Sequence, residues 1–395
     1  MDPSNTVVIL SACRTPLGCF QGSLSSMSSS DLGAVVFKEA VRRAGISESD
    51  IDAAYLGNVL QGGGGQNPCR QAVLKASLPE SISCTSINKV CASGLKAVHF
   101  AAQSILSGDV ECVLAGGSES MSNSPYMIPK ARAGLRMGNG EIVDSLINDG
   151  LWDPFNNQHM GLNTETTAEE YDLTREAQDD YSEMSYKRAQ QWWEGDNHDE
   201  VVPVEISSRG KVNKITQDEQ VSKANFAKMR TLKPCFKKEG TITPANASAI
   251  GDGAAAVVLA SLEFAQRHGL TPMAKIVASA DGARDPLHFT IAPVLAAEKA
   301  LKRAGMTKED VDLFDINEAF AAVVLANVKI LGLDMDKVNI RGGGISLTHP
   351  LGASGCIRLV ALLYALRDEK KRHGLAALCV GGGEGHACVV ENLLN

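Results

Sequence analysis

VRRAGISESDID at 41–52 returns as LKRAGMTKEDVD at 301–312. Each copy reads as the end of a helix, a glycine stop, a polar turn and the entry to a strand. Working outward, CASGLKAVHFAAQSIL at 91–106 is echoed more loosely by GASGCIRLVALLYALR at 352–367. VECVLAGGSE at 110–119 is echoed by AALCVGGGEG at 376–385, and the offset stays near 260 residues throughout. Two related halves predict a pseudo-twofold fold with a cleft between them. The reactive residues fall where the halves differ: Cys91 in one, His349 and Cys379 in the other.

The chain around these repeats has 395 residues, enough for two domains and an insertion. Hydrophobic content of 44% and charged content of 21% are ordinary for a globular protein. The formal charge is −8 and no basic stripe occurs, which argues against nucleic acid as a partner. Ten cysteines lack CxxC or Cys/His metal spacing, so free thiols in a reducing compartment are expected, with no metal. No signal peptide, Arg-rich presequence, SKL-type ending or apolar run of about 18 residues is read, which points to a cytoplasmic protein with no membrane span.

Strands and helices alternate, predicting an α/β protein. Strands are expected at 6–16, 53–60, 83–90, 110–117 and 246–260, and helices at 30–45 and 92–106. Ser30 or Asp31 would cap the first helix. The second half repeats this with helices at 291–304, 318–331 and 353–368, and strands at 311–316, 337–341 and 376–381. Small residues at strand ends suit a central helix buried between sheets. From 122 to 245 the chain turns polar and irregular, apart from a helix at 174–194. This insertion has no counterpart in the second half and reads as a substrate-covering segment.

Cys91 sits in NKVCASGLKA, at a strand-to-helix junction. A helix N-terminus lowers a thiol pKa and favours the nucleophilic thiolate. A buried structural cysteine is the alternative. His349 lies in GGGISLTHPLGASG, where an imidazole could take the Cys91 proton, or serve only the loop. Cys379 enters a glycine run in ALCVGGGEG; it is either a general acid/base or a buried strand cysteine. Asn317 and Glu318 in DINEAFAAV could polarise an oxygen or hold a water, or cap a helix. His159 and Met160 occupy the insertion, and this histidine could be a loop contact alone. The glycine runs at 62–65 and 381–383 are neither GxGxxG nor Walker motifs, which excludes a nucleotide reading on those motifs.

Read together and in order, CRTPLGCFQGSL, GNVLQGGGGQNPCRQA, NKVCASGLKAV, GGSESMSNSPY, DGLWDPFNNQHMG, LKPCF, TPANAS, INEAFA, HPLGASG and CVGGGEG span essentially the whole chain. The chain resembles the thiolase family, of the acetoacetyl-CoA type. The resemblance implies a duplicated thiolase fold, layered α-β-α-β-α, with pseudo-twofold halves and an inserted loop domain. The implied division is 1–121 plus 246–270 for the half with the nucleophile, 122–245 for the loop domain, and 271–395 for the half with the histidine and second cysteine.

The resemblance also implies the chemistry. Cys91 becomes acetylated, His349 takes its proton, and Cys379 moves the α-proton of the second acetyl-CoA. His349 with a water on Asn317 forms one oxyanion hole; the N–H groups of Cys91 and Gly381 form the other. Leu151, His159, Met160, Phe236, Ala247, Ser248, Ala319 and Phe320 are implied to line the acyl and pantetheine path. The family's Arg-containing stretch near the CoA phosphates is less clear here, where DEQVSKANFAKMR stands, and Lys223, Lys228 or Arg230 is read as its substitute. No cofactor is required, CoA and acetyl-CoA being substrates. A homotetramer built as a dimer of dimers and a role in mevalonate-pathway lipid metabolism are implied as well. A broader 3-ketoacyl-CoA thiolase and an impaired, CoA-binding thiolase relative are the alternatives. The impaired reading comes from Thr348, which stands where the family carries glycine; a backbone with positive φ there would strain threonine. Ala249 and Gly251 also depart from the family pattern.

Overall fold

The computed structural model describes residues 6–208 and 210–394, so the outer limits of the sequence-derived division, at 1 and 395, lie outside the described residues. The first half contains β1 (Val7–Arg14), α1 (Ser29–Ala44), β2 (Ala53–Gly57), α2 (Pro68–Lys75), β3 (Ser83–Ile87), α3 (Ser93–Leu106) and β4 (Cys112–Ser120). Two helices in the insertion follow, α4 (Met160–Glu170) and α5 (Arg175–Glu194). The chain then returns through β5 (Gly251–Ser261) and β6 (Ala274–Ala283) to α6 (Ala292–Ala304), β7 (Leu313–Ile316) and α7 (Ala321–Leu331). It ends with α8 (Leu351–Asp368), β8 (His373–Val380) and β9 (Glu384–Asn392).

The repeated turn explains how each half is wound. Both α1 and α6 end in a left-handed glycine, Gly45 at φ +67° and Gly305 at φ +67°. Each is followed by a reciprocal capping box, Ser47 with Asp50 and Thr307 with Asp310, before the next strand. The cap at the start of α1 is Ser28, paired with Asp31, rather than Ser30 or Asp31 acting alone.

Strand order is the same in both halves. The first runs β3-β2-β4-β5-β1, and the second runs β7-β8-β9-β6 in the matching sense. Pairs β2·β3, β2·β4 and β7·β8 are parallel, while pairs through β5 and β9 are antiparallel. The half-sheets join where Val8 meets Lys275 and Ile9 meets Ala274. The predicted strand at 337–341 is not formed. Its place beside β7 holds one bridge, Phe314 to Val338, because a 3₁₀ turn at Met335–Lys337 and Gly342 at φ +75° bend the chain away.

Helices α3 and α8 lie between the half-sheets. Leu95 and Val98 of α3 and Leu359 and Leu363 of α8 share a core with Ile9, Val113, Leu378 and Val390 from strands of both halves. α8 is buried on every side from Leu351 to Leu366, as a helix between two sheets must be. The two backbones touch through glycine: a β carbon on Gly355 would stand 2.6 Å from the Leu95 nitrogen. α1 covers the outer face of the first half and α6 that of the second. The layers are therefore α-β-α-β-α.

The insertion holds a helix that the periodicity did not predict. α4 buries Asn163, Thr164, Glu165 and Thr167, so it presents no apolar stripe to read. The Glu165 carboxylate accepts the N–H groups of Thr241 and Ile242, pinning the insertion's return path. That path enters β5 only at Gly251. Residues 246–250, expected as strand, instead meet the second half: Ala247 bridges Phe320, and the Ser248 N–H donates to the Ala319 carbonyl at 2.9 Å. Among the described residues no helix is long and apolar enough to cross a membrane.

Candidate active site

Cys91 precedes α3 by one turn of irregular backbone. Val90 is held at φ +46°, a genuine outlier for a β-branched residue. Ser93 sustains it: its Oγ accepts the Lys89 N–H at 2.8 Å and donates to the Val90 carbonyl at 2.6 Å. Lys89 then pairs with Glu384 at 2.7 Å, fastening this loop of the first half to the glycine loop of the second. The Cys91 side chain packs with Val59, Met121, Leu146 and Leu351, with Leu151 at the edge.

The helix N-terminus does not make Cys91 a resting thiolate. Burial pushes its thiol up to about 12, and the charge of Glu119 adds to this. The backbone N–H groups of Gly381 and of Cys91 itself act in the opposite direction. Desolvation wins because the residue is 8% exposed. The two N–H groups belong to opposite halves of the molecule. Burial also pushes Cys379 well above the usual thiol range, and the charge of Cys91 adds to this.

His349 is fixed on three sides. Its N–H donates to the Ala249 carbonyl at 2.8 Å. Its Nδ1 lies 2.6 Å from Ser354 Oγ, which donates its own proton to the Pro350 carbonyl at 2.8 Å. Ser354 Oγ must therefore accept from Nδ1–H, which leaves the Nε2 lone pair available. Asn317 Nδ2 stands 3.4 Å from Nε2, longer than a good hydrogen bond. Burial lowers His349 to about 4, with Arg358 contributing, so the imidazole is neutral and able to take a proton. Leu351, two residues on, packs against Cys91.

Asn317 and Glu318 are not helix caps, because α7 starts later, at Ala321, with Phe320 in extended backbone. Glu318 is a buried anchor instead. It accepts from Tyr181 Oη and Ser185 Oγ, both at 2.8 Å, and from the Ile345 N–H at 3.1 Å. These bonds tie the Asn317 turn to α5 and to the loop before His349.

The insertion contributes an apolar wall. Met160, Ala319 and Phe320 share a cluster with Cys379, and Phe236 and Ala247 pack on it. A β carbon on Gly381 would stand 3.3 Å from Met160 Sδ and 3.5 Å from Val90 Cγ1, which sets Met160 against both cysteine loops. His159 stacks on Phe236 at 4.5 Å and caps α4 by accepting the Gly161 N–H at 3.0 Å. Burial lowers its pKa. Ser248 Cβ would lie 3.5 Å from a β carbon on Gly344. The basic segment differs: Lys223 is paired with Glu219, and Arg230 with Asp180 and Glu183, while Lys228 is exposed.

Two residues of the site were not singled out from sequence. Ser354 carried no signal beyond lying one turn past His349. Glu119 is a fully buried carboxylate that accepts from Asn58 Nδ2 at 2.6 Å and from the N–H groups of Val59 and Gly352. An acid at the end of an apolar strand was its one legible mark. Burial raises Glu119 to about 7 against the pull of those N–H groups. Elsewhere His99, Asp281 and His386 bring ligand atoms within 4.8 Å of one another. Lys96 at 2.7 Å and Lys89 at 3.4 Å already give Asp281 its cations.

A buried thiol, a neutral imidazole with a free Nε2, a second thiol and two backbone N–H groups that favour the thiolate form a site for acyl transfer through cysteine. Comparison with known proteins agrees. The family described as thiolase, N-terminal domain, matches residues 7–263, and thiolase, C-terminal domain, matches 270–392. The chain is 48% identical to a cytosolic acetyl-CoA acetyltransferase, ERG10, of Gibberella zeae, covering 98% of each chain. It is 47% identical to a mitochondrial acetyl-CoA acetyltransferase of Bos taurus, over 98% of this chain and 92% of the relative. Among solved structures, the Acat5 thiolase of Ascaris suum in complex with coenzyme A superposes with a TM-score of 0.93 at 44% identity, covering 98% of this chain and 100% of that one. The Bacillus anthracis acetyl-CoA acetyltransferase gives 0.96 at 39% identity, covering 98% and 99%. With both of its halves matched and nearly its full length shared with these relatives, the chain belongs to the thiolase family.

Proposed function

We propose that this chain is an acetyl-CoA C-acetyltransferase, joining two acetyl-CoA into acetoacetyl-CoA and CoA, and running the reverse cleavage, through an S-acetyl-Cys91 intermediate. The observation that carries this reading is the meeting of the Cys91 loop with the Gly381 loop of the other half, where Lys89 pairs with Glu384 at 2.7 Å and a β carbon on Gly381 would stand 3.5 Å from Val90 Cγ1. Backbone N–H groups of these two loops are the donors for an oxygen developing on a carbonyl bonded to the Cys91 sulfur.

Proton bookkeeping assigns the remaining roles. Cys91 attacks the thioester carbonyl while its proton passes to His349 Nε2. The tetrahedral adduct collapses, the C–S bond to CoA breaks, and the departing CoA sulfur takes the proton of Cys379. Cys379, now a thiolate beside a charged His349, removes the α-proton of the second acetyl-CoA. The resulting enolate, stabilised by His349 and a water on Asn317, attacks the acetyl group of Cys91. A carbon–carbon bond forms, the bond to Cys91 breaks, and the Cys91 sulfur recovers its proton from His349. Every proton returns, and the kinetics are ping-pong.

The insertion, 122–245, acts as the loop domain over the substrate. Met160, His159, Phe236, Phe320 and Leu151 restrict the acyl group to short chains by volume, and Ala247, Ser248 and Ala319 line the pantetheine path. Lys223, Lys228 and Arg230 form the basic segment for the CoA phosphates, for which the carboxylate partners of Lys223 and Arg230 must yield. The chain works in the cytoplasm, in the biosynthetic direction that supplies the mevalonate pathway, as a homotetramer. Two features support the assembly: β3 ends the sheet, and Tyr126, Leu135, Met137 and Ile142 of the insertion are 68%, 52%, 97% and 70% exposed. Light scattering after gel filtration tests the assembly, and fractionation of cells tests the location.

Purified protein should cleave acetoacetyl-CoA in the presence of CoA much faster than 3-ketohexanoyl-CoA. Equal cleavage of the longer substrate would point to a degradative thiolase instead. Cys91→Ala should abolish acylation, whereas Cys379→Ala should still accept acetyl but fail to condense. Normal turnover by Cys91→Ala would refute the mechanism.

A further inference from the structure

The residue before the base is a buried threonine in glycine's conformation. Thr348 has φ +129° and is 4% exposed. Its Oγ1 is buried and bonds to nothing in the structure. A β-branched residue is sustained in that region only where its surroundings over-determine it. The surroundings are Gly251, at the start of β5. A β carbon added there would stand 2.6 Å from both Cβ and Oγ1 of Thr348, and 2.5 Å from the Gly18 carbonyl oxygen. The space beside Gly251 is thus taken up by the Thr348 side chain. Two residues back on the same strand entry, the Ala249 carbonyl accepts the His349 N–H at 2.8 Å, and the Ala249 N–H reaches the Gly344 carbonyl at 3.4 Å.

We propose that Thr348 and Gly251 are a matched pair, and that Thr348 is a positioning residue for His349. Its side chain plugs the gap at Gly251 and holds the turn that presents the imidazole. Volume supplies the hold, because the hydroxyl makes no bond. This rests on the reading of His349 as the proton acceptor. It also answers the doubt raised by threonine at this position: the strained backbone is braced, so the site is not disabled.

The test is a double-mutant cycle on Gly251→Ala and Thr348→Gly, reading kcat and KM for acetoacetyl-CoA cleavage together with Tm. Gly251→Ala should lower kcat about tenfold or more, with KM for CoA changed far less, and adding Thr348→Gly should recover most of the loss. Effects that simply multiply would overturn the pairing and leave the Gly18 carbonyl as the contact that matters. If Gly251→Ala does not fold, Thr348→Ala and Thr348→Val carry the test. Removing the volume should lower kcat about tenfold and move the acid limb of its pH profile, and valine should restore both. Alanine and valine behaving alike would overturn the proposal. If the unmodified protein cleaves no acetoacetyl-CoA, the proposed function falls, and coupling in Tm alone still decides the pair.

Discussion

Replacing Ser354 by alanine isolates the tautomer control of His349. The hydroxyl makes two buried hydrogen bonds, accepting from Nδ1 at 2.6 Å and donating to the Pro350 carbonyl at 2.8 Å. Losing them leaves the buried Nδ1–H unpaired, at about 1–3 kcal/mol, part of which appears as a lower Tm; the Pro350 carbonyl keeps the N–H groups of Ala353 at 3.0 Å and Ser354 at 2.9 Å. The catalytic share is smaller and can be worked separately. While His349 is neutral, the Nδ1–H bond is an ordinary one, worth about 1 kcal/mol; once Nε2 takes the Cys91 proton it becomes a charge-assisted bond, worth roughly 1.5–3 kcal/mol. The difference, about 0.5–2 kcal/mol, stabilises the transition state over the ground state and corresponds to a rate factor of roughly 2–30.

Ser354→Ala should therefore lower the rate of Cys91 acylation by roughly 2–30-fold with KM for acetyl-CoA nearly unchanged. Rapid-quench mass spectrometry of the acyl-enzyme reads this step without the later condensation. Losing a bond that favours the charged ring also lowers the His349 pKa further, so the acid limb of acylation should move to lower pH. Ser354→Thr, which keeps the hydroxyl, should restore the rate. An acylation rate within twofold of the unmodified protein in Ser354→Ala would refute the assignment of Nδ1–H to Ser354.

The acid limb of kcat/KM in the unmodified protein should lie near pH 4 rather than near 6.5, because burial lowers the His349 pKa to about 4; a limb at 6–7 would contradict the buried neutral ring. Stability should respond to pH in two opposed ways. His349, lowered in the folded state, contributes stability that is full above about 6.5 and lost as pH falls toward 4. Glu119 and Asp315, both raised to about 7 by burial, contribute stability that is full below about 4 and lost as pH rises through 7. Glu119→Gln should remove the second trend in part, and it should lower stability by about 2–4 kcal/mol because an amide NH₂ then faces the N–H groups of Val59 and Gly352, measured by denaturant unfolding. Phe236→Ala removes the ring stacked at 4.5 Å on His159 and should raise cleavage of 3-ketohexanoyl-CoA relative to acetoacetyl-CoA about tenfold. An unchanged ratio would remove Phe236 from the acyl wall.

The internal repeat made the architecture legible because each copy carries its own stop signals. Gly45 and Gly305, with the Ser47–Asp50 and Thr307–Asp310 boxes, are local chemistry that a sequence displays directly. The five-layer order follows from two such units closing on α3 and α8. What stayed hidden was set by partners distant in sequence. Helix α4 buries polar side chains against the insertion's return path, so no hydrophobic period betrays it. The 337–341 segment has strand-like composition, but its chain is turned away after one bridge to Phe314. Cys91 shows the same division within the site. Its place at a helix start was readable, and local reasoning gave a thiolate; burial by Val59, Met121 and Leu351 reverses that sign. The reversal changes the chemistry that the site must perform. A thiol near 12 beside an imidazole near 4 does not form an ion pair at rest. In the proposed mechanism proton transfer therefore accompanies attack on the thioester, when the N–H groups of Cys91 and Gly381 gain a developing oxyanion to hold. In the proposed mechanism the nucleophile stays protonated until a substrate carbonyl is present, and a protonated thiol resists the oxidation that a standing thiolate would invite.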